Sequence, residues 1–206
     1  MPLDATPVPT LDQCRQGLIA AESVLAAAER SVGALVRGAG GGKIDPALLE
    51  REQLAAHGFA WLATYVAGLR ETLAWAERLQ ATDRLGELEA RIVAGAFAEY
   101  LNQMAGGVAL SQGEIVRPAD MGLGAGDLAA LESENVLALR RTGWTSAAKG
   151  RLAQLIAEGG FGDPALDDET LQLVQAQFRR FVDEKIIGPA HQWHLKDELI
   201  PLPIVE

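Results

Sequence analysis

Apolar residues near the start of the chain repeat every three or four positions without interruption. The repeat consists of Leu11, Cys14, Leu18, Ala21, Leu25, Ala28, Val32 and Leu35. A repeat of this period predicts one long helix whose apolar side packs along another helix. The side chain of Thr10 or Asp12 is placed to cap its start, and we predict that it ends near Arg37.

The residues after this helix predict a connection and a second long helix. The connection contains Gly38, Gly40, Gly41 and Gly42. A phosphate-binding loop would need a preceding strand and a lysine at the Walker spacing, so the glycines indicate a flexible helix–helix connection. Asp45 and Pro46 suit the N-cap and first turn of a helix that we predict to run to about Gln80. Its predicted apolar stripe is Leu54, Trp61, Leu62, Tyr65, Leu69, Leu73 and Ala76.

The remainder also shows helical periodicity, which makes the predicted fold all-α, with long antiparallel helices in a bundle. Further helices are predicted at 85–104, at 127–141 with Asp127 as cap, at 146–158, and from Asp167 or Asp168 onward. The stretch from Gly106 to Gly126 is irregular. The last helix presents an apolar face of Leu171, Val174, Phe178, Phe181, Val182 and Ile186.

Glycines and prolines suggest where the chain divides. Gly159, Gly160, Gly162 and Pro164 predict a boundary between a helical region at 1–163 and a second region at 164–206. Pro189, Pro201 and Pro203 are expected to break the chain after the last helix. The end of the chain, residues 199–206, is strongly apolar. It would either fold back onto the bundle or mark a domain interrupted at this point.

Composition excludes several classes of function. The chain has 28 acidic and 18 basic residues and a formal charge of −10, which disfavours nucleic acid and anionic membranes as partners. One cysteine excludes a disulfide framework within the chain. The sequence shows neither a secretory signal nor an apolar run long enough to span a membrane. These features lead us to expect a cytoplasmic protein.

Few residues offer chemistry. His191 and His194 are three positions apart with Asp197 and Glu198 nearby, but no second ligand pair is evident, so we predict a surface or packing role. His57 is predicted to be partly buried and hydrogen-bonded, and Cys14 to be a small buried apolar residue. We therefore assign no catalytic, cofactor-binding or metal-ligating residue to this chain.

The region from residue 168 onward resembles the opening of the acyl-CoA dehydrogenase fold. The matching elements are the run from Phe178 to Ile186, then Pro189, then His194 to Pro201. Ile200 stands where the family commonly has phenylalanine. A long helical segment precedes this region, as in the (2S)-methylsuccinyl-CoA dehydrogenases, and residues 100–120 look like part of that extension.

The resemblance implies a flavoenzyme that oxidises a branched acyl-CoA such as methylsuccinyl-CoA, in the ethylmalonyl-CoA route of acetate assimilation. In that family a glutamate removes the α proton and FAD accepts the β hydride. The flavin-binding domain, the catalytic glutamate and the C-terminal bundle all follow the region that resembles this chain. The resemblance therefore implies that this chain is an N-terminal fragment that is inactive alone and binds no FAD. It would contact acyl-CoA only through the missing domains.

Two roles remain open for the helical region. As an extension of a homo-oligomeric dehydrogenase, it would cover the catalytic core or brace a subunit interface. The alternative is a stand-alone interaction module without enzymatic activity, which would dimerise through the stripe from Leu11 to Leu35.

Overall fold

The computed structural model describes residues 7–37 and 42–205. Internal contacts divide the chain into Met1–Asp163, called unit 1, and Pro164–Glu206, called unit 2. The predicted flexible connection at Gly38, Gly40 and Gly41 lies outside the described residues. The assignment of the two regions to an extension and a dehydrogenase domain stays a prediction.

Unit 1 is built from packed helices with one small hairpin. Its elements are α1 (Leu11–Arg37), α2 (Pro46–Arg51), α3 (Gln53–Ala81), α4 (Glu87–Gly106), β1 (Val108–Ala109), β2 (Ile115–Val116), α5 (Glu134–Thr142) and α6 (Ser146–Ala157). Helix α1 packs against α3, α4 and α5, and α6 packs against α4. This helical architecture with little strand confirms the all-α prediction.

Helix α1 begins and ends where the sequence predicts. The Thr10 hydroxyl accepts a hydrogen bond from the Gln13 amide at 3.2 Å, and the Gln13 side chain accepts one from the Thr10 amide at 2.9 Å. This reciprocal arrangement satisfies two backbone donors at the helix start, so Thr10 and not Asp12 is the cap.

The buried face of α1 differs from the predicted stripe toward its end. Leu35 is 37% exposed, whereas Val36 is buried. A straight helix has 3.6 residues per turn, so a stripe drawn at a spacing of 3.5 drifts off the buried face after several turns. Leu11, Cys14, Ala21, Ala28 and Val32 of the stripe are buried in the core of unit 1, together with Gly17, Ala20, Val24 and Ala27. Much of the stripe therefore packs within unit 1, and dimerisation through it stays a prediction.

The predicted second helix is divided into α2 and α3. The Asp45 carboxylate accepts hydrogen bonds from the amides of Ala47 and Leu48, as expected of a cap, but helical geometry is interrupted at Glu52. Along α3 the stripe prediction holds from Leu62 to Ala76 and is wrong for Leu54 and Trp61, which are 44% and 36% exposed. Each lies one position before a buried residue, Ala55 or Leu62, so the buried face in this part of α3 is rotated from the predicted stripe.

The stretch predicted to be irregular contains structure that periodicity missed. Val108 pairs with Val116, and Ala109 with Ile115, in an antiparallel hairpin. Asp127 does not cap a helix. Its carboxylate accepts from the Gly124 amide at 2.9 Å within a turn, and α5 begins only at Glu134. A short 3₁₀ helix, Ala129–Glu132, occupies the start of the predicted helix.

Unit 2 contains α7 (Glu169–Lys185), α8 (Ile187–Leu195) and α9 (Leu202–Val205). The Asp168 carboxylate caps α7 by accepting from the Leu171 amide at 2.9 Å. Pro189 was expected to break the chain, but it lies in the first turn of α8, where a missing N–H costs no helical hydrogen bond. Pro203 lies within α9 for the same reason.

None of the helices within residues 7–37 and 42–205 is long and apolar enough to cross a bilayer.

Candidate functional site

Cys14 is a packing residue. Its side chain is completely buried in the core of unit 1. Burial raises the pKa of the thiol to about 12, with a smaller opposing effect from Arg15. The reactive thiolate is therefore suppressed at neutral pH, which confirms the interpretation of Cys14 as a buried apolar residue.

His57 is exposed, which corrects the prediction that it is partly buried. It is hydrogen-bonded as expected, because the Trp61 indole N–H donates to His57 Nε2 at 3.0 Å. The histidine borders a groove of about 540 Å³, lined also by Leu49, Glu50, Gln53, Leu54, Ala56 and Glu114. The two glutamates give this groove an acidic lining, which disfavours anionic ligands.

An aromatic row continues from His57 toward α4. Trp61 meets Tyr65 edge to face with ring centroids 6.1 Å apart, and Tyr65 stacks on Tyr100 at 4.3 Å. The Tyr65 hydroxyl donates to Gln103 Oε1 at 2.6 Å. Burial raises the Tyr65 pKa, and nearby Tyr100 and Glu99 add to this. The row joins α3 to α4, and the Tyr65 hydroxyl has a hydrogen-bond partner. We therefore interpret these aromatic side chains as packing residues.

A charged cluster links α4 to α6. Arg151 donates to both carboxylate oxygens of Glu87, at 3.0 and 2.7 Å, and Arg91 donates to the same carboxylate at 2.7 Å. The hydrogen bond from Arg151 and then that from Arg91 lower the Glu87 pKa to about 2. One carboxylate thus accepts hydrogen bonds from two guanidinium groups, and Arg91 is itself only 5% exposed.

Replacing Glu87 with glutamine should reduce the acid sensitivity of unit 1. Glu87 has a folded-state pKa of about 2 against an ordinary value of 4.5. Its stabilising contribution is present above pH 4.5 and is lost as the pH falls from there toward 2. Urea unfolding near pH 6 and near pH 3 should show a smaller loss of stability in Glu87→Gln than in the wild type. Glu71→Gln, at an exposed position of α3, serves as control and should keep the wild-type loss.

The histidines near the end of the chain lie on α8. His191 and His194 are both exposed, with Trp193 half-buried between them. Across residues 7–37 and 42–205, no group of three or more His, Cys, Asp or Glu side chains is placed to hold a metal ion. Ser111 and Glu114 lie at the turn of the hairpin, where the Ser111 amide donates to the Glu114 carbonyl at 3.3 Å.

Helix α7 in unit 2 has an exposed apolar face. Leu171, Val174, Phe178, Phe181 and Val182 are between 38% and 68% exposed, and no described residue of α7, α8 or α9 is buried. A groove of about 500 Å³ is lined by Gln177, Phe178, Phe181, Pro203, Ile204 and Val205. An apolar helix face of this kind requires a packing partner.

The sequence predicts the apolar face of α7 but not the charged cluster of Glu87, Arg91 and Arg151. The spacing of Glu87 and Arg91, four positions apart, is a helical ion-pair signal visible in the sequence. The bidentate contact from Arg151 carries no local signal, because Arg151 is brought to Glu87 only by the packing of α6 on α4.

Comparison with known proteins identifies a relative of most of the chain. No protein-family model matches it. A (2S)-methylsuccinyl-CoA dehydrogenase from Cereibacter sphaeroides is 46% identical over 169 residues, which are 80% of this chain and 30% of the length of that enzyme. This identity confirms the resemblance found in the sequence. The chain is therefore homologous to a part of (2S)-methylsuccinyl-CoA dehydrogenase, an enzyme of which it spans less than a third.

Proposed function

We propose that this chain is the non-catalytic N-terminal helical part of a cytoplasmic, homo-oligomeric, FAD-dependent acyl-CoA dehydrogenase. The enzyme would oxidise a branched acyl-CoA thioester such as methylsuccinyl-CoA between its α and β carbons. The observation that carries this proposal is the 46% identity to (2S)-methylsuccinyl-CoA dehydrogenase over 80% of the chain. The chain aligns with only 30% of that enzyme, which supports the proposal that it corresponds to one region of the enzyme and not to the whole.

The groove beside His57 does not fit the cofactor or the substrate. FAD and coenzyme A both carry phosphates, which need clustered cations or free backbone amides. The groove of about 540 Å³ in unit 1 is lined instead by residues that include Glu50 and Glu114. We therefore place FAD, the thioester and the catalytic base outside the described residues, and assign no reaction step to this chain.

The two units support different parts of this role. Unit 1 has a continuous core, which includes Leu62, Leu69, Phe97 and Leu101 without exposed surface, so it is built as a folded module. Unit 2 exposes the apolar face of α7. In the proposed enzyme the remaining dehydrogenase domains cover that face, and unit 1 covers the catalytic core or braces a subunit interface.

The proposal is tested on the full-length enzyme that carries this sequence, with and without residues 1–163. We expect the deletion to lower the melting temperature and reduce the assembly size measured by light scattering, because bracing contacts are removed. Unchanged size, stability and activity would contradict the bracing role.

The 206-residue chain provides a second test. Purified after expression with excess riboflavin, it should show no flavin absorbance and no oxidation of methylsuccinyl-CoA with an artificial electron acceptor. Bound flavin in stoichiometric amount would contradict the placement of the cofactor outside this chain.

A further inference from the structure

The glycine-rich stretch after α6 is a structured helix end. Gly159 has φ +95° and lies just beyond the helix. Its amide donates to the Ile156 carbonyl at 3.0 Å, and the Gly160 amide donates to the Leu155 carbonyl at 3.0 Å. These two bonds form the Schellman motif that closes a helix with a left-handed glycine. The first two glycines of the predicted boundary are therefore fixed by backbone hydrogen bonds.

Asp163, the last residue of unit 1, is held through its amide, its carbonyl and its carboxylate. Its amide donates to Glu89 Oε1 at 2.9 Å, and its carbonyl accepts from the Trp75 indole N–H at 2.8 Å. Its carboxylate lies 3.3 Å from a guanidinium nitrogen of Arg84. These three partners come from α4, α3 and the turn between them, so the contacts tie Asp163 to two long helices of the core.

Glu89 connects Asp163 to the start of α4. It is only 7% exposed, and its second oxygen accepts from the Gly86 amide at 3.1 Å at the start of α4. A buried carboxylate that accepts backbone N–H bonds makes stronger hydrogen bonds than a neutral acceptor. The same side chain therefore caps α4 and fixes the end of unit 1.

We propose that residues 159–163 form a fixed strap, with Asp163 as its anchor, and that this stretch is not a flexible linker. The folded structure of unit 1 then extends to its last residue. This inference rests on the contacts within unit 1 and is independent of the proposed enzymatic role.

Amide hydrogen exchange of the 206-residue chain, resolved by NMR, tests the strap. The Asp163 and Gly160 amides should exchange far more slowly than unstructured amides, because both are hydrogen-bonded. Glu89→Gln removes the charge from the acceptor and should speed exchange at Asp163 by about tenfold. Trp75→Phe, which keeps an aromatic ring and loses the indole N–H, should also speed exchange there. Glu71→Gln should leave it unchanged.

A second measurement covers the case in which the Glu89 variant unfolds. Phe161 is 91% exposed within the strap, so chymotrypsin can cleave after it once the strap opens. We expect slow cleavage at Phe161 in the wild type and faster cleavage in Trp75→Phe at an unchanged melting temperature. Asp163 exchange at the unstructured rate, or wild-type cleavage at Phe161 as fast as in an unfolded peptide, would overturn the proposal.

Discussion

Replacing Phe97 with alanine is expected to lower the free energy of unfolding of unit 1 by about 3–5 kcal/mol. Phe97 lies on α4 and has no exposed surface. It packs against α1 at Gly17, since a Cβ added there would lie 3.2 Å from the Phe97 ring and 3.0 Å from Leu101. A truncated side chain here leaves a cavity that closely packed helices cannot collapse to fill.

Urea unfolding followed by circular dichroism measures this loss. Unit 2 has no buried side chains among its described residues, so the cooperative transition reports on unit 1. Ile92→Ala is the matched control, because Ile92 lies on the same helix and is 37% exposed. Equal losses in the two variants would show that the core does not lie between α1 and α4 as described.

Replacing Gly95 with alanine should also destabilise the protein, by about 1–3 kcal/mol. Gly95 lies in the interior of α4, where alanine is normally the better helix former. Here an added Cβ would lie 2.5 Å from Cε3 of the Trp144 ring, well inside van der Waals contact. Trp144 would have to move, and its contact with Lys149, 5.1 Å above the ring, would move with it.

Replacing Gly68 with alanine should instead stabilise the protein. Gly68 lies in the interior of α3, and an added Cβ there meets no atom within 4 Å. The gain in helix propensity is then unopposed and should raise stability by up to about 1 kcal/mol. Opposite shifts of the urea midpoint in the two variants would support the close contact of α4 with Trp144. A stabilising effect of Gly95→Ala would contradict it.

The helices of the bundle could be predicted where periodicity and caps agree. Thr10 and Asp45 cap the helices that their positions indicate, and the end of α1 at Arg37 matches the prediction. The error at Leu35 comes from drawing a heptad stripe on a helix of period 3.6. The break at Glu52 has no signal, because that residue is a normal helix former.

Features that depend on tertiary packing could not be predicted. Each strand of the hairpin has only two residues, too few for an alternating pattern, and buried Val116 packs against α3 beside Gly58. The glycines after α6 predict a boundary but not the hydrogen bonds that fix it, since glycine in sequence does not distinguish a linker from a helix cap. The contacts that fix Asp163 come from residues more than seventy positions away in sequence.

The sequence predicts which residues form the apolar face of α7, but not which surface packs against that face. The spacing of Phe178, Phe181 and Val182 places them on one side of the helix. The residues of α7 do not show which surface packs against that side. The homology to part of a much longer enzyme supports the proposal that the dehydrogenase domains cover it.

In the proposed function this sequence operates as part of a larger flavin-dependent dehydrogenase. This proposal is tested most directly by the intact mass of the polypeptide that carries this sequence, isolated from its native cells with an antibody raised against unit 1. The account predicts a single chain far heavier than 21.9 kDa, the mass of these residues alone. A native polypeptide of 21.9 kDa would contradict it.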